Sequence, residues 1–245
     1  MMNDFKIKIF ILTLKQNNLR RKKLLDQLDE MYLPYQLWFG IDGTKKLPLK
    51  HENKINRKKA KKKFYRDLTD AEFACSLSHN EIYHEIVKQD LHGAVILEDD
   101  AVLSEGFKEL FLSFSVNTID LLLLDHQNAY VSLKQKYKII MYFIGYKVFY
   151  PPFLTTGYYL SLSAANQMIK KSAIISGVAD WPCDITTMNC AAIMPRAVQQ
   201  RKDAKISSLI KNKRDKMIQR NRYRRFFKIF YWKKKYAKVI HTRLV

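Results

Sequence analysis

Residues 5–14 (FKIKIFILTL) alternate apolar and polar positions and then become continuously apolar, with Ile7, Ile9 and Ile11 on one face. That pattern predicts a strand entering a sheet. Residues 18–31 follow with Leu24, Leu25, Leu28 and Met31 at helical spacing. The segment YQLWFGIDG then reads as a short strand ending at Asp42-Gly43. This β–α–β order predicts a parallel sheet with helices outside it. Residues 45–66 show no apolar periodicity and are expected to form a surface loop or a solvated helix.

Residues 69–90 predict a helix. Thr69 or Asp70 caps it, Glu72 sits in its first turn, and Phe73, Leu77, Ile82 and Ile86 supply an inner face. The run Ala94–Leu97 predicts a buried central strand, since strands covered on both faces are continuously apolar. Residues 105–115 read as helix and Ile119–Leu124 as another apolar strand. Residues 134–150 predict one or two strands, and Pro151-Pro152 breaks the chain. TTGYYLSL reads as strand and SAANQMIKKS as helix; from residue 205 onward the chain reads as basic and helical.

The strand at 94–97 ends in three consecutive acids, Glu98-Asp99-Asp100. In open α/β sheets, ligands bind beyond the carboxyl ends of the strands. Three carboxylates there repel one another and call for a cation, and their oxygens suit Mg²⁺ or Mn²⁺ bridging to substrate phosphates. Neither a GxxxxGK phosphate loop nor a GxGxxG turn is present. That disfavours a P-loop nucleotidase or a dinucleotide dehydrogenase. A metal-held phosphate donor without a glycine loop points toward nucleotide-sugar chemistry.

Charge changes the picture of the periphery. The 245 residues carry 44 Lys+Arg against 23 Asp+Glu, a net charge of +21. Residues 45–66 account for +10 and residues 211–245 for +13, so the remainder is close to neutral. A neutral body, residues 1–210, with two basic attachments is the organisation implied. Such charge calls for an anionic partner, whether nucleic acid, a membrane surface or substrate. In the tail, Tyr223, Phe226, Phe227 and Phe230 fall on one helical face among Arg222, Arg224, Arg225 and Lys228, as in a membrane-surface anchor. Three cysteines without a CxxC pair suit a reducing cytosol. Neither a signal peptide nor a membrane-spanning segment is expected.

The ordered blocks of this chain resemble glycosyltransferase family 25, the lipopolysaccharide and lipooligosaccharide glycosyltransferases, over residues 7 to about 210. IFILTLKQNNLRRKKL is similar to the family's opening strand and Arg-Arg helix start, with Arg20 and Arg21. FGIDG matches an Ala-x-Asp-Gly block with Gly40 in place of Ala. LTDAEFACSLSHNEIY resembles a block in which Glu72, Cys75, Ser78 and His79 match and two glycines are replaced by Ala71 and Ala74. VILEDDAVLSEGF, TTGYYLSLSAANQMI and VADWPCD complete the series.

The resemblance implies a GT-A type, Rossmann-like mixed α/β sheet flanked by helices and binding a UDP-sugar. It implies inverting, metal-dependent transfer of a hexose, galactose from UDP-galactose first and UDP-glucose or UDP-GlcNAc as alternatives, to a lipid-linked oligosaccharide. The metal, Mn²⁺ or Mg²⁺, falls to Asp100 first, with Asp99 and Glu98. Donor contacts fall to Leu14, Arg20, Asp42, Glu72, Ser78 and His79, and acceptor contacts to Thr156, Gly157, Tyr158 and Trp181. The chemistry asks for one carboxylate base to take the acceptor proton. Asp180 and Asp184 are the candidates, both near Trp181, on which a sugar could stack; the competing role of Asp180 is a helix cap. Cys75 and His79 are four apart on the expected helix, but two soft ligands do not make a zinc site. They read as a buried hydrogen-bonded pair or part of the donor pocket. Such an enzyme belongs in the cytoplasm, on the inner face of a bacterial membrane. The rival classes are a nucleic-acid-binding protein using the basic aromatic tail, and a glycosidase with paired carboxylates.

Overall fold

The computed structural model describes residues 7–114, 119–140, 142–201, 235–236, 238 and 241–244. Among the described residues, a nine-stranded mixed sheet runs in the order Thr242–Leu244, Ala129–Ile140, Phe143–Tyr150, Cys190–Met194, Leu121–Leu123, Gly157–Ser161, Gly93–Glu98, Ile7–Thr13 and Gln36–Phe39. Its first half is β1 (Ile7–Thr13), β2 (Gln36–Phe39) and β3 (Gly93–Glu98), with α1 (Asn18–Glu30) between β1 and β2. These three strands are parallel, as the β–α–β order predicts. β5 (Leu121–Leu123) and β8 (Gly157–Ser161) continue the sheet, β8 running antiparallel to both β3 and β5. The expected mixed α/β sheet flanked by helices is the observed architecture.

Strand alternation builds the two sides of the core. Ile7, Ile9 and Ile11 of β1 and Val95 and Leu97 of β3 pack with Leu24 and Leu28 of α1. Phe107 and Leu110 of α4 (Phe107–Ser113) join the same layer. Phe10, Leu12, Ala94 and Ile96 point the other way, onto Ile82, Tyr83 and Ile86 of α3 (Asp70–Lys88) and Met168 of α5 (Leu162–Lys171). Each fully buried aliphatic side chain contributes roughly 1.5–3 kcal/mol. Truncating one at this seam, Ile96→Ala for example, costs about 2–5 kcal/mol through the cavity it leaves.

The start of α3 is a complete capping box. The Thr69 hydroxyl accepts from Glu72 N at 3.2 Å, and Glu72 Oε2 accepts from Thr69 N at 2.9 Å. This satisfies two donors that the first helical turn leaves open.

The basic insert is largely the solvated segment expected, since α-helical residues 57–64 are exposed except for Ala60 and half-buried Phe64, but it carries a few buried anchors. It folds as a 3-10 turn (Leu49–Lys54) and α2 (Arg57–Phe64), capped by Asn56. Leu47, Ile55 and Ala60 are buried against Phe73, Ala74 and Leu77 of α3. The apolar positions here are few and irregularly spaced because three separate short pieces supply them. Arg57 ties the insert down through Glu52 at 2.6 Å and Asp70 at 2.8 Å.

The C-terminal half forms the strands expected within 134–150 and adds others that carried no local signal. β6 (Ala129–Ile140) and β7 (Phe143–Tyr150) form a hairpin, and β9 (Cys190–Met194) joins β7 to β5. β4 (Ala101–Leu103) and β10 (Val198–Gln200) make a separate antiparallel pair. The tail departs from the all-helical expectation. Thr242–Leu244 is a strand, β11, paired with β6, and Leu244 is buried. Lys235, Tyr236 and Lys238 are helical, while the aromatic face at 223–230 lies outside the described residues. Among the described residues, no helix is long and apolar enough to cross a membrane.

Candidate functional site

β1 and β3 end side by side, with Leu12 opposite Glu98, so the three acids follow directly at the carboxyl edge of the parallel strands. Asp99 and Asp100 are both buried. The three carboxylates nevertheless diverge. Asp99 turns toward the β1–α1 junction: its Oδ2 accepts from the Thr13 hydroxyl at 2.9 Å and Asn17 Nδ2 at 3.1 Å. Its Oδ1 lies 2.6 Å from Arg20 Nε. Asp100 Oδ2 accepts from Arg20 Nη2 at 2.8 Å and from Gln200 Nε2 at 3.0 Å. The Asp100 carbonyl accepts from Arg201 N at 3.0 Å, which fixes the turn to β10. Glu98 turns to the other layer, where its Oε1 accepts from the Thr155 hydroxyl at 2.7 Å and lies 3.4 Å from His79 Nε2.

The electrostatics follow the same division. Burial pushes the Asp100 carboxyl up, the neighbouring Glu98 charge pushes it further, and despite Arg20 it reaches about 6. Burial also acts on Glu98, but the hydrogen bond and charge of His79, with the Thr155 hydroxyl, hold it below its usual range. Asp100 Oδ1 is buried without a hydrogen-bond partner. An unpaired carboxylate oxygen in a buried site is costly. A divalent cation would compensate that oxygen's charge, so Asp100 suits the metal role that the resemblance implies. Asp99 is its neighbour on the same Arg20 guanidinium.

A fourth acid belongs to this corner. Asp125 follows β5 and Leu124, and it is buried. Its Oδ2 accepts from Gln200 N at 3.1 Å, and Arg196 lies 3.5 Å from its Oδ1. Burial pushes its carboxyl up, against the pull of Arg196. The rule that singled out Glu98-Asp99-Asp100, an acid closing an apolar strand, also marks Asp125. Thr13, Asn17, Thr155 and Gln200 carried no comparable signal.

Several residues assigned to the donor or acceptor have structural duties. Glu72 is buried, serves the capping box and is paired with Arg66 at 2.5 Å. Ser78 Oγ accepts from Ile41 N at 2.8 Å and donates to the Ala74 carbonyl at 2.7 Å, so its hydroxyl is committed. The Leu14 carbonyl accepts from Arg21 Nη1 at 3.1 Å and closes the turn into α1. Asp42 is exposed and accepts from Thr44 N at 2.8 Å and Gln16 Nε2 at 3.0 Å. Gly43 beside it lies against the Asp70 carbonyl and the Ala74 methyl, where a Cβ would collide.

On the expected acceptor side, Thr156 and Tyr158 are fully buried, and Gly157 is pressed on by Val198. Trp181 is buried too: its indole donates to the Pro152 carbonyl at 3.1 Å and meets Tyr158 edge-on at 5.4 Å. It therefore offers no free face for a sugar to stack on. Its backbone sits at φ 67°, in the left-handed region that a bulky side chain rarely adopts. Leu154, just before Thr155, shares that conformation at φ 82°. Strain of this kind concentrates where surrounding structure must fix a geometry.

The two candidate bases separate. Asp184 is the cap: its Oδ1 accepts from Thr186 N at 3.1 Å and the Thr186 hydroxyl at 2.6 Å, closing the 3-10 turn Ile185–Thr187. Asp180 is half-buried and belongs electrostatically to the acidic corner. After burial, the charges of Glu98, Asp180, Asp99 and Asp100 together push the Cys75 thiol up.

Comparison with known proteins adds an independent line. The 26% identity to procollagen galactosyltransferase 2 of Homo sapiens extends over 172 residues, 66% of this chain and 27% of that protein. The Mus musculus protein of the same name is 26% identical over 170 residues, again 27% of its length. The chain thus spans about a quarter of the relatives it matches. A crystal structure of a glycosyltransferase involved in glycosylation of the major capsid of PBCV-1 aligns at 12% identity and TM-score 0.35, covering 68% of this chain and 65% of that one. The family described as Glycosyltransferase family 25 (LPS biosynthesis protein) matches residues 6–187, from β1 through the Asp180–Asp184 segment. This chain belongs to glycosyltransferase family 25.

Proposed function

We propose that the protein transfers a hexose, galactose first, from a UDP-sugar to a sugar hydroxyl of an oligosaccharide acceptor, with inversion at the anomeric carbon. The observation that carries the reading is the buried acidic corner at the carboxyl edge of β1 and β3, with Asp100 Oδ1 unpaired inside it. Family membership supports glycosyl transfer, and the names of the two mammalian relatives support galactose.

In this reading Asp100, through Oδ1, and Asp99 would hold Mn²⁺ or Mg²⁺. When bound, that ion supplies Lewis-acid stabilisation of the charge on the departing diphosphate. Arg20 holds the two aspartates in place and carries positive charge at the same edge. Asp180 takes the proton from the acceptor hydroxyl as that oxygen attacks the anomeric carbon and the bond to UDP breaks. Asp184 positions this segment through its turn rather than touching substrate.

A lipid-linked lipopolysaccharide acceptor belongs to the same proposal, supported by the family's description. The cytoplasmic membrane face goes with it, supported by the +13 charge of residues 211–245. The test is a donor panel of UDP-galactose, UDP-glucose and UDP-GlcNAc with Mn²⁺, product scored by mass and anomeric configuration. A β-galactosyl product that needs Asp100 and Asp180 is the expected result. Product from free sugar without a nucleotide donor would overturn the reading.

A further inference from the structure

The third acid of the triplet leads to a different site. Among the described residues, the group of Cys, His, Asp and Glu ligand atoms that all lie within 4.8 Å of one another is Cys75, His79 and Glu98. Glu98, Asp99 and Asp100 are not such a group. Cys75 and His79 are one helical turn apart on α3, which presents both toward the end of β3. His79 is buried, while Cys75 and Glu98 are half-buried, so the trio has one closed side and one open side.

The surroundings of His79 already resemble those of a metal-bound imidazole. Its Nδ1 is 2.8 Å from the Tyr158 hydroxyl, and that hydroxyl is 3.0 Å from the Tyr83 hydroxyl. Both tyrosines are buried, so this chain fixes the ring. Metal binding would take Nε2 from its 3.4 Å contact with Glu98 as a lone-pair donor while Nδ1–H donates to Tyr158. Ligand histidines characteristically have their second nitrogen engaged in this way.

We propose that Cys75, His79 and Glu98 form a binding site for a soft divalent cation of the Zn²⁺ class, with an open fourth position. The donor set decides the metal: a thiolate and an imidazole select Zn²⁺ over Mg²⁺ and Mn²⁺. Tetrahedral zinc with sulfur, nitrogen and oxygen ligands places those atoms about 3.3–3.6 Å apart, and His79 Nε2 and Glu98 Oε1 are already 3.4 Å apart. The thiol proton leaves to solvent as the Cys75–metal bond forms. The bound ion ties α3 to the carboxyl end of β3, next to the corner held by Arg20. The site does not depend on the transfer reading, which rests on Asp99, Asp100, Arg20 and Asp180.

The test uses Co²⁺ as a spectroscopic stand-in for zinc, added to the full chain in excess Mg²⁺ so that the oxygen-rich corner is occupied. The expected result is one Co²⁺ per chain, with thiolate-to-cobalt charge-transfer absorption that one equivalent of Zn²⁺ displaces. Cys75→Ser should remove that band and weaken Zn²⁺ binding by about tenfold or more. Zn²⁺ should also slow iodoacetamide labelling of Cys75, read by peptide mass, without affecting Cys183. This measurement holds even if the variant folds poorly. A cobalt spectrum without thiolate absorption, or Cys75 labelling indifferent to Zn²⁺, would overturn the proposal.

Discussion

The two layers that meet at the acidic corner treat adjacent residues of one triplet differently. On the α1 side, Asp99 and Asp100 are buried and share the guanidinium of Arg20, with Thr13, Asn17 and Gln200 supplying further donors. On the α3 side, Glu98 is half-buried and faces a hydroxyl, an imidazole and a thiol. The first side is all hard oxygen with charge left over at Asp100 Oδ1; the second mixes oxygen, nitrogen and sulfur. Glu98 is the last residue of β3 and faces α3 with Ala94 and Ile96, whereas Asp99 and Asp100 form the turn that follows and swing together to Arg20. The lesson is that a run of carboxylates need not be one ligand set.

Substitutions on the two sides should separate cleanly, and the largest effect belongs to Asp100. Asp100→Ala removes the unpaired oxygen and should lower transfer by about 10³-fold, the scale of losing a principal electrostatic contact to the transition state. Circular dichroism should show an unchanged fold. Turnover near wild type at saturating Mn²⁺ would move the hard-cation position away from the α1 side. Asp180→Asn comes next, with a loss of about 10²-fold in turnover while UDP still binds, because the amide keeps the shape but cannot accept the proton. If Asp184→Asn gives that phenotype instead, the assignments of base and cap are exchanged.

The pH dependence sharpens the contrast through stability. Asp100 is held at about 6 against an ordinary 3.8, so the folded state binds its proton more tightly than the unfolded chain. That contribution is complete below the unfolded value and is lost as pH rises through about 6; the shift corresponds to about 3 kcal/mol. The melting temperature of the wild type relative to Asp100→Asn should therefore fall between about pH 4 and pH 7. Mn²⁺ with UDP should restore it at about pH 7 and not at pH 4, since the cation competes with the proton. A difference flat in pH would place the buried strain outside Asp100.

The smallest effect belongs to the α3 side. Thr155→Val removes the 2.7 Å hydrogen bond to Glu98 and should cost about 1.5–3 kcal/mol, the range for a hydrogen bond to a charged acceptor. Thermal unfolding measures it. Transfer should drop by less than about tenfold, because Thr155 acts on Glu98 and not on the aspartates. A loss as large as that of Asp100→Ala would join the two sides into one site.

The parallel start of the sheet was legible because β1 and β3 are buried on both faces, which makes them near-continuous apolar runs. α3 was legible for a related reason, since its capping box and inner face are written in consecutive residues. The acids at the end of β3 were legible from the position rule alone, and the same rule reaches Asp125. The solvated helix of the insert was legible, but its anchors were not, because Leu47, Ile55 and Ala60 come from three pieces with different backbone geometry and no single period relates them. Glu72 and Ser78 carry structural bonds that the sequence did not show. A polar side chain that completes a cap or a backbone hydrogen bond looks, as a letter, the same as one that meets a ligand.

The sequence alone determined that β1, β3 and β5 would be apolar strands, that acids would close β3, and that the net positive charge would sit in two stretches outside a near-neutral body. Only the tertiary structure decided where each acid points. Arg20 reaches Asp100 from 80 residues away, Gln200 from 100 and Thr155 reaches Glu98 from 57. β4 and β10, which bring Gln200 to the corner, are three residues each. Three residues are too few to carry a period, and a pairing between segments so distant leaves no mark on the local pattern of either. Burial is a property that each segment advertises by its own composition. The partner that satisfies a buried charge is chosen by the folding of the whole chain.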